Sequence, residues 1–596
     1  MDKQALQVLK KGNQSDTRVQ LTPWADVGNR PLQEYPRPQF ARESYINLNG
    51  WWDYCIDSNF NPPEVYQGRI LVPFSPESIL SGVGKQLSPT QYLHYRTQFS
   101  YPKNFNKGRI LLHFGAVDNI AQVWVNGKNA GSHSGGYNSF SLDITNLCED
   151  QQSNLLEITV RDPSDTSYYC TGKQCLDRHG MWYTAQSGIW QTVWIESVPD
   201  EYISNAFVNI DYDNAKVTVS LQKNFDGPVT AIVYDGRKEV AKSDCTGSTL
   251  TIEMPKDFKS WSPEDPFLYK VMYISRRDKV ESYFGMRKVD VRRDEKGVPR
   301  LYLNNKKYFQ SGLLDQGYWS DGLYTAPSDE AMIYDIETAK KLGFNMLRKH
   351  IKVEPMRWYY HCDKLGMLVW QDMPSGGGRQ HKWVTMISPF LGLRRKKDNK
   401  YRAFSRKSLK GRQLFKDQYI EMLRQLYNCV CICTWVPFNE GWGQFDALKF
   451  VKLTKQIDPT RIVDHASGWH DQGGGDVLSL HIYFKPIRLP RPEQDRCTVV
   501  TEFGGYTHRD MEHCFNTGAM FSYKDFDSVE EYNKAVEQLF DKEVVPAIDK
   551  GLSGCVYVQL SDVEDEVNGL LTYDRKVLKA DAEMFKRINE KLKYDR

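Results

Sequence analysis

Short runs of alternating apolar and polar residues fill the first third of the chain. Between about residues 45 and 200, stretches such as "YLHYRTQFSYP" and "RILLHFGAV" are separated by turn residues. In "NIAQVWVNGKNAG", the pair Asn126-Gly127 is a strong signal for a two-residue type I′ hairpin. This pattern predicts a β-sandwich of jelly-roll type over residues 1–200.

Shorter strands continue the all-β pattern over residues 201–295. Runs such as "AKVTVSLQ", "VTAIVYD" and "FLYKVMYISRR" are divided by turn residues at short, regular intervals. Strands of this length and spacing predict an immunoglobulin-like β-sandwich.

The periodicity changes near residue 296, where strands begin to alternate with helices. "KYFQSGLLDQ" predicts a strand, and "PSDEAMIYDIETAKKLG" predicts a helix with Ser328 as its N-cap. The alternation continues through "TVVTEFGG" and "GCVYVQLSD" to a final basic helix. Eight strands alternating with helices over roughly 300 residues predict a (β/α)8 TIM barrel over residues 296–596.

Active sites of such barrels lie at the C-terminal ends of the strands. Several predicted strands carry acidic or other polar residues at that end. They are Asp315, Arg348 with His350, Asp372, Asn439 with Glu440, Asp464, His481 with Tyr483, Glu502, and Asp562. The sequence therefore predicts a polar cleft at the mouth of the barrel.

Two of these strand ends carry a glutamate, Glu440 after strand four and Glu502 on strand seven. With about three βα units between them, the two carboxylates should face each other across the barrel. Facing carboxylates are typical of glycoside hydrolysis, and a separation of about 5–5.5 Å gives retention of the anomeric configuration. A single glutamate after a strand more often stabilises a helix N-terminus, so it is the pair, with Asn439 directly before the first, that favours catalysis.

The surroundings of the two glutamates predict different protonation states. Glu440 lies between Phe438 and Trp442 in "PFNEGW", and an apolar collar would raise its pKa and keep it protonated as a general acid. Glu502, expected near Arg348, would stay ionised.

Composition adds little to this picture. Aromatic residues make up 13% of the chain, which suits sugar stacking and aromatic-rich β cores equally. The 78 basic and 75 acidic residues nearly balance, so neither a nucleic-acid nor a membrane partner is expected. The first residues lack an apolar leader core, which favours a cytoplasmic protein; homo-oligomerisation is left open.

The cysteines favour neither disulfides nor a metal site. Twelve cysteines are scattered through a long chain, as in proteins with reduced thiols. "NCVCIC" places Cys429, Cys431 and Cys433 at alternate positions, roughly 6.6–7 Å apart on a strand, which is too far for neighbouring ligands of one zinc ion. We expect no metal and no organic cofactor.

A strongly basic stretch falls in the connection after the third barrel strand. Residues 392–412, "GLRRKKDNKYRAFSRKSLKGR", contain ten Lys or Arg and one Asp. A solvated loop and a basic rim that favours sulfated or uronate-containing glycans both fit this composition. Nucleic-acid binding fits less well, because only Tyr401 and Phe404 interleave with the charges.

Three motifs, taken in order, resemble family 2 glycoside hydrolases, which include β-galactosidases, β-glucuronidases and β-mannosidases. They are "GIWQTVWIE" at the end of the first sandwich, "FNE", and "TEFGG". The order of jelly-roll sandwich, immunoglobulin-like sandwich and TIM barrel is also similar, and the resemblance covers roughly residues 40–590.

The resemblance implies roles for the residues that match these motifs. Glu440 corresponds to the acid/base, Glu502 to the nucleophile, and Asn439 to the residue that binds the sugar 2-hydroxyl. Tyr483 and Arg348 match positions that orient the nucleophile.

Further residues complete the expected substrate pocket. His350 resembles a histidine that lines the subsite of the terminal sugar. Asp315 and Asp372 are candidates for binding sugar hydroxyls, and Trp435 and Trp469 are candidate aromatic contacts. Trp469 fits a sugar platform and a loop anchor equally well.

The family resemblance implies a retaining exo-β-glycosidase, with a galactose-configured sugar as the leading expectation. The Asn-x-Lys motif that holds a glucuronide carboxylate is not evident, but glucuronide, mannoside, arabinose-type and galactofuranose substrates stay open. A non-catalytic carbohydrate-binding relative is the main alternative from another class. A barrel lyase or aldolase fits less well, because Lys349 lies between the better-placed Arg348 and His350.

Overall fold

The computed structural model describes residues 16–387, 389 and 396–594. Residues 1–15, on which the expectation about a leader segment rests, lie outside this range, as do residues 392–395 of the basic stretch. The described chain forms a β-sandwich, a second pair of antiparallel sheets and an eight-stranded parallel barrel, in the order that the sequence predicts.

Two antiparallel sheets form the first β-sandwich. The four-stranded sheet contains, in spatial order, Tyr45–Asn47, Val193–Pro199, Gly108–Phe114 and Phe140–Asp143. The six-stranded sheet contains Gly68–Val72, Gly50–Asp57, Tyr92–Phe99, Asn154–Arg161, Ile120–Val125 and Lys128–Ser134. Apolar side chains from both sheets interdigitate in one buried core. Asn126 and Gly127 have φ angles of 51° and 73°, which confirms the type I′ hairpin.

A second pair of antiparallel sheets follows. One contains Ile203–Asp211, Lys216–Lys223 and Thr249–Glu253, and the other contains Lys238–Cys245, Val229–Asp235, Tyr269–Ile274 and Lys279–Phe284. They enclose a core of their own, while the immunoglobulin-like topology stays a prediction. A small sheet of Val289–Arg293, Pro299–Leu303 and Lys306–Lys307 straddles the predicted boundary at residue 295, because Asp294 and Gly297 form a hairpin turn there.

The C-terminal half contains the predicted parallel barrel. Its strands are β1 (Gln310–Asp315), β2 (Met346–Lys349), β3 (Leu368–Asp372), β4 (Ile432–Val436), β5 (Ile462–Val463), β6 (Val477–Ile482), β7 (Cys497–Gly504) and β8 (Leu552–Val558). They pair in the order β5-β4-β3-β2-β1-β8-β7-β6. Asp476 bridges the remaining seam between β5 and β6, since its backbone N donates to Val463 O and its carboxylate accepts from Val463 N, both at 2.8 Å.

Helices cover the outside of the barrel. They are α1 (Asp329–Lys341), α2 (Met356–Leu365), α3 (Leu409–Gln425), α4 (Ala447–Ile457), α5 (Val529–Leu539), α6 (Val545–Asp549) and α7 (Ala582–Glu590). Ser328 is the N-cap of α1, as predicted, because its side chain accepts a hydrogen bond from Ala331 N. Within the described ranges, no helix is long and apolar enough to cross a bilayer.

A loop of the first sandwich packs onto the mouth of the barrel. The backbone N atoms of Thr171 and Gly172 both donate to Ser375 O, in the connection after β3. Farther along the same loop, Trp182 packs against Trp442, with ring centroids 5.2 Å apart. The first sandwich therefore supplies a wall of the cleft at the C-terminal ends of the barrel strands.

Candidate active site

Glu440 projects into this cleft from the segment after β4, and Glu502 projects into it from β7. Glu502 lies near the end of β7, where register pairs it with His481 of β6. Glu440 has a left-handed backbone, with φ at 48°, and its N atom donates to Ser467 O at 3.0 Å. The side chains of Glu440 and Glu502 are only 8% and 6% exposed, so a substrate sugar would be largely enclosed around them.

His481 lies between the two carboxylates. Its Nδ1 is 2.8 Å from Glu440 Oε1 and 3.3 Å from Glu502 Oε2. One oxygen of each glutamate and a ring nitrogen of His481 all lie within 4.8 Å of one another. These donor types also suit a metal ion, but a proton shared between Nδ1 and the carboxylates accounts for the short distances by itself.

Arg348 connects most of the polar groups of the site. Its Nη1 donates to Glu502 Oε1 at 3.0 Å, and its Nη2 donates to Asn439 Oδ1 at 2.8 Å. Nε and Nη2 also form a bidentate pair with Asp372, at 3.1 and 3.0 Å. Because a guanidinium carries its donors in a fixed plane, Arg348 sets the relative positions of β2, β3, β4 and β7 side chains.

Further hydrogen bonds position the carboxylates of Glu502 and Asp372 in the cleft. Tyr483 donates its hydroxyl to Glu502 Oε2 at 2.8 Å and stacks on Tyr523, with centroids 3.8 Å apart. His350 Nδ1 is 3.0 Å from Asp372 Oδ2. Burial lowers the pKa of His350 well below its usual range, helped by Lys173 and Arg348, so a neutral His350 donates this hydrogen bond.

The electrostatic environments of the two glutamates differ in the expected sense. Burial, and then the charge of Glu502, raise the pKa of Glu440 well above its usual range. Burial also raises the pKa of Glu502, but Arg348, Lys173 and the Tyr483 hydroxyl oppose that shift. Glu440 is therefore the carboxyl that holds a proton, and Glu502 is the carboxylate.

The predicted apolar collar around Glu440 is wrong in part. Phe438 stacks on Phe415 of α3, at 5.3 Å, and packs with Phe445 and Phe450 on the helix side of the barrel. Trp442 does lie at the cleft, between Trp182 and His350. The raised pKa thus comes from burial and from the second carboxylate rather than from a ring on each side.

Two predicted substrate residues point away from the cleft. Trp435 is fully buried and donates its indole N–H to Asp458 Oδ2 at 2.8 Å, on the helix side of β4. Asp315 forms an ion pair with Lys349 at 2.6 Å. Side chains of a strand alternate between faces, and Arg348 takes the inner face, so Lys349 and its register partner Asp315 take the outer one.

Asp372, Trp469 and Asn439 do lie at the site, whereas Asp562, at the predicted end of strand eight, pairs with Lys579 at 2.7 Å. Asp372 contacts the cleft through Arg348 and His350, and burial raises its pKa to about 6. Trp469 is buried, and its ring centroid is 6.2 Å from that of His481. Asn439 has its Oδ1 on Arg348, whereas its buried Nδ2 has no partner within the described part of the chain.

Sequence reasoning missed two contributors to the site. Lys173, in the sandwich loop, is buried at 5% exposure, with its Nζ 3.8 Å from Glu566 and 6.0 Å from the ring centroid of Trp442. The sequence places His481 at a strand end but indicates no role for it. No local pattern marks Lys173, because its place depends on a loop docking onto a domain hundreds of residues away.

Two family models match the chain. Residues 299–590 match the model described as glycosyl hydrolases family 2, TIM barrel domain, and residues 85–186 match glycosyl hydrolase 2 galactose-binding domain-like.

Similar proteins extend the match. A β-galactosidase of Halalkalibacterium halodurans is 23% identical over 487 residues, which covers 74% of this chain and 46% of that protein. The chain spans about half the length of the curated relatives it matches.

Solved structures share the fold along nearly the whole chain. A β-glucuronidase from an uncultured Clostridium has a TM-score of 0.71 at 17% identity and covers 94% of this chain and 99% of its own. A family 2 β-galacturonidase from Eisenbergiella tayi has a TM-score of 0.68 at 18% identity, with the same coverage.

Proposed function

Because the chain belongs to family 2 of the glycoside hydrolases, we propose that it is a retaining exo-β-glycosidase. In this proposal Glu502 is the nucleophile and Glu440 is the acid/base, and the enzyme removes terminal sugars from the non-reducing ends of oligo- or polysaccharides. The observation that carries the proposal is the approach of a Glu440 oxygen and a Glu502 oxygen to within 4.8 Å. Retaining enzymes need carboxyl groups about 5–5.5 Å apart, whereas inverting enzymes leave room for a water molecule at about 6.5–9.5 Å.

In the first step, Glu502 attacks the anomeric carbon and Glu440 gives its proton to the departing glycosidic oxygen. The C–O bond to the aglycone breaks as the ester bond to Glu502 forms, so the aglycone leaves as a neutral alcohol. In the second step, Glu440, now a carboxylate, takes a proton from water, and the hydroxide attacks the anomeric carbon and releases Glu502. Two inversions give net retention.

His481 determines which oxygen of Glu440 carries the acidic proton. His481 Nδ1 also lies 3.3 Å from Oε2 of the ionised Glu502, and a carboxylate can only accept a hydrogen bond. The ring proton is therefore assigned to Nδ1, which faces Glu440 Oε1 at 2.8 Å. Oε1 then accepts, and the transferable proton belongs on Oε2.

Two features favour binding of a terminal sugar. The catalytic carboxylates are almost fully buried, and the loop with Thr171 and Trp182 closes one side of the cleft. The buried Nδ2 of Asn439 lacks a partner among the described residues. A sugar 2-hydroxyl would satisfy this donor, and such a contact strengthens in the transition state of glycoside hydrolysis.

A galactose-configured substrate is the leading assignment for the terminal sugar. It is supported by the β-galactosidase relative and by the family model of the first sandwich, which is described as galactose-binding domain-like.

Lys173 favours a second candidate, a β-uronide. Its buried ammonium has one carboxylate within ion-pair range in the described structure, Glu566 at 3.8 Å, which leaves hydrogen-bonding capacity for a substrate carboxylate. The solved structures with the same fold include a β-glucuronidase and a β-galacturonidase.

The test is hydrolysis of nitrophenyl β-galactoside, β-glucuronide, β-galacturonide, β-mannoside and β-glucoside, with α-L-arabinosides and β-galactofuranoside. Wild type and Glu502→Gln are compared on each substrate. Cleavage of one β-glycoside by wild type alone supports the proposal and names the sugar. Lys173→Gln should then reduce kcat/KM for a uronide far more than for a galactoside. If wild type hydrolyses none of these substrates but still binds sugars, a non-catalytic carbohydrate-binding protein would be favoured instead.

A further inference from the structure

The connection between β3 and α3 forms an open cleft of about 730 Å³ that the proposed reaction does not use. We call it the basic cleft. Its lining includes five cationic side chains and one exposed indole, from Lys396, Lys400, Arg402, Lys407, Arg412 and Trp383. No carboxylate is among the described residues that line it. Its volume falls within the usual range for ligand sites, about 300–1,000 Å³.

The charges of the basic cleft are available to a ligand. Lys400, Arg402 and Lys407 are all exposed, and together with their neighbours they give one sign of charge to a concave surface. A concave surface of one sign concentrates its field and attracts ligands of the opposite sign. The cleft therefore selects for anions.

The aromatic residues of the cleft suit a sugar chain. Trp383 is 54% exposed, and an indole offers a flat apolar face for the C–H surface of a pyranose ring. Tyr401 is held beneath Arg412, whose guanidinium lies 3.9 Å from the ring centroid. A single exposed ring among cations fits one charged sugar better than the series of stacked bases that single-stranded nucleic acids require.

The basic cleft is joined to the segment that carries Glu440. Val384 O accepts a hydrogen bond from His470 Nε2 at 2.9 Å, and Lys396 N lies 3.3 Å from His470 Nδ1. The same imidazole packs directly against Gly441, where an added Cβ would lie 2.5 Å from the ring. The His470 ring thus lies between the basic cleft and Gly441, the residue after Glu440.

This position corresponds to the leaving-group side of the reaction. A general acid must lie beside the glycosidic oxygen that it protonates, so the aglycone extends on the side of Glu440. A glycan whose terminal sugar occupies the catalytic site would continue from there towards the loops that follow β3 and β5.

We propose that the basic cleft binds the aglycone of the substrate and that this aglycone is an anionic glycan, bearing uronate or sulfate groups. The proposal rests on the proposed glycosidase function and specifies its substrate class. The terminal sugar enters the buried carboxylate site, while the next sugars place their anionic groups among the five cations. The shared chemistry is a polyanionic sugar chain, and the experiment separates carboxylate from sulfate.

The first test measures binding, using full-length Glu502→Gln so that the ligand is not consumed. Four probes are titrated: a tetramer of galacturonic acid, a sulfated tetrasaccharide, a neutral galactotetraose and a single-stranded oligonucleotide. Substituting Lys400, Arg402 and Lys407 together by Gln should weaken binding of at least one anionic tetrasaccharide by about tenfold and flatten its salt dependence, because three screened charges are removed. Binding of neutral galactotetraose should stay unchanged.

A matched control carries the same change in net charge at distant sites. Lys103, Lys128 and Lys238 are exposed residues of the two sandwiches, and substituting them together by Gln should leave all affinities unchanged. Equal affinities in the two triple variants would make the basic stretch a solvated surface and overturn the proposal. Tighter binding of the oligonucleotide than of both anionic glycans would also overturn it.

The second test measures turnover and separates this proposal from the glycosidase assignment. A nitrophenyl glycoside does not extend to the basic cleft, so the Lys400, Arg402 and Lys407 variant should hydrolyse it like wild type while its KM for an anionic oligosaccharide rises. Trp383→Ala should show the same split for the anionic oligosaccharide. If wild type hydrolyses no aryl glycoside, the proposed function fails, yet the binding assay still reports on the cleft.

Discussion

At the scale of single residues, Arg348 explains why two buried carboxyl groups differ in protonation. Its guanidinium contacts Glu502 directly, at 3.0 Å, whereas Glu440 contacts His481 instead. Burial penalises both charges, but only Glu502 has a permanent cation at hydrogen-bond distance. In the proposed mechanism, the neighbours of the two carboxyl groups, rather than their depth of burial, assign the acid and nucleophile roles.

This division predicts a bell-shaped pH profile of kcat/KM. Activity should rise with pH as Glu502 loses its proton and fall as Glu440 loses its own. Since burial raises the pKa of both groups, the optimum should lie above that of two exposed carboxyls. Glu440→Ala should lower kcat/KM about 10²–10⁴-fold for substrates with poor leaving groups, and much less for a dinitrophenyl glycoside.

The same variant provides the internal control. On the dinitrophenyl glycoside, Glu440→Ala should lose the alkaline limb of the profile and keep the acid limb, and added azide should restore turnover by forming a glycosyl azide of the original configuration. Equal losses on both kinds of substrate, with the alkaline limb unchanged, would remove Glu440 from the acid role.

At the scale of elements, the alternation of strands and helices was enough to predict the barrel and the ends of its strands. Which face each strand residue takes was not predicted, because that depends on register between neighbours. Once Arg348 and Asp372 are known to face inwards, alternation turns Lys349 and Trp435 outwards. Trp435 and Asp315, the two predicted substrate residues that point away from the cleft, share this origin.

The outward position of Trp435 can be tested. Trp435→Phe removes the indole donor to Asp458 and should lower the free energy of unfolding by about 1–3 kcal/mol, as for other buried hydrogen bonds. Because the ring does not face the cleft, kcat/KM should stay within roughly twofold of wild type.

Asn439→Ala is the matched comparison for that experiment. This residue lies shortly after the same strand and faces the cleft, so its loss should reduce kcat/KM more than stability. Chemical denaturation and initial rates on one aryl glycoside measure both quantities. A large fall in kcat/KM for Trp435→Phe at unchanged stability would contradict the assigned orientation.

At the scale of the whole molecule, the proposed catalytic site is shared between the barrel and the first sandwich. The sandwich loop supplies Lys173 and Trp182, which meet Trp442 of the barrel. Sequence patterns cannot predict this contact, because it arises from docking of surfaces that are remote along the chain. The sequence motifs were sufficient to place the two glutamates in the cleft, since Glu502 lies on β7 and Glu440 lies shortly after β4.

We expect the charge of Lys173, in the first sandwich, to oppose the rise in the pKa of Glu440 in the barrel. Its positive charge stabilises ionised Glu440 and so lowers the pKa of that carboxyl. Lys173→Gln should therefore raise this pKa and move the alkaline limb of kcat/KM to higher pH, measured on a neutral aryl glycoside. Lys128→Gln, an exposed change in the same sandwich, should leave the profile unchanged. An unaltered alkaline limb in Lys173→Gln would contradict the electrostatic link.

The most direct test of the central assignment is to trap the covalent intermediate. A dinitrophenyl 2-deoxy-2-fluoro glycoside of the preferred sugar would form the glycosyl-enzyme quickly and release it slowly, because fluorine destabilises the cationic transition state of the second step. Trypsin separates the candidates: Glu502 is the only carboxylate in the peptide of residues 497–509, whereas Glu440 lies in the peptide of residues 425–449. A single sugar on peptide 497–509 is the predicted result. A label on peptide 425–449, or no label with an inverted product, would contradict it.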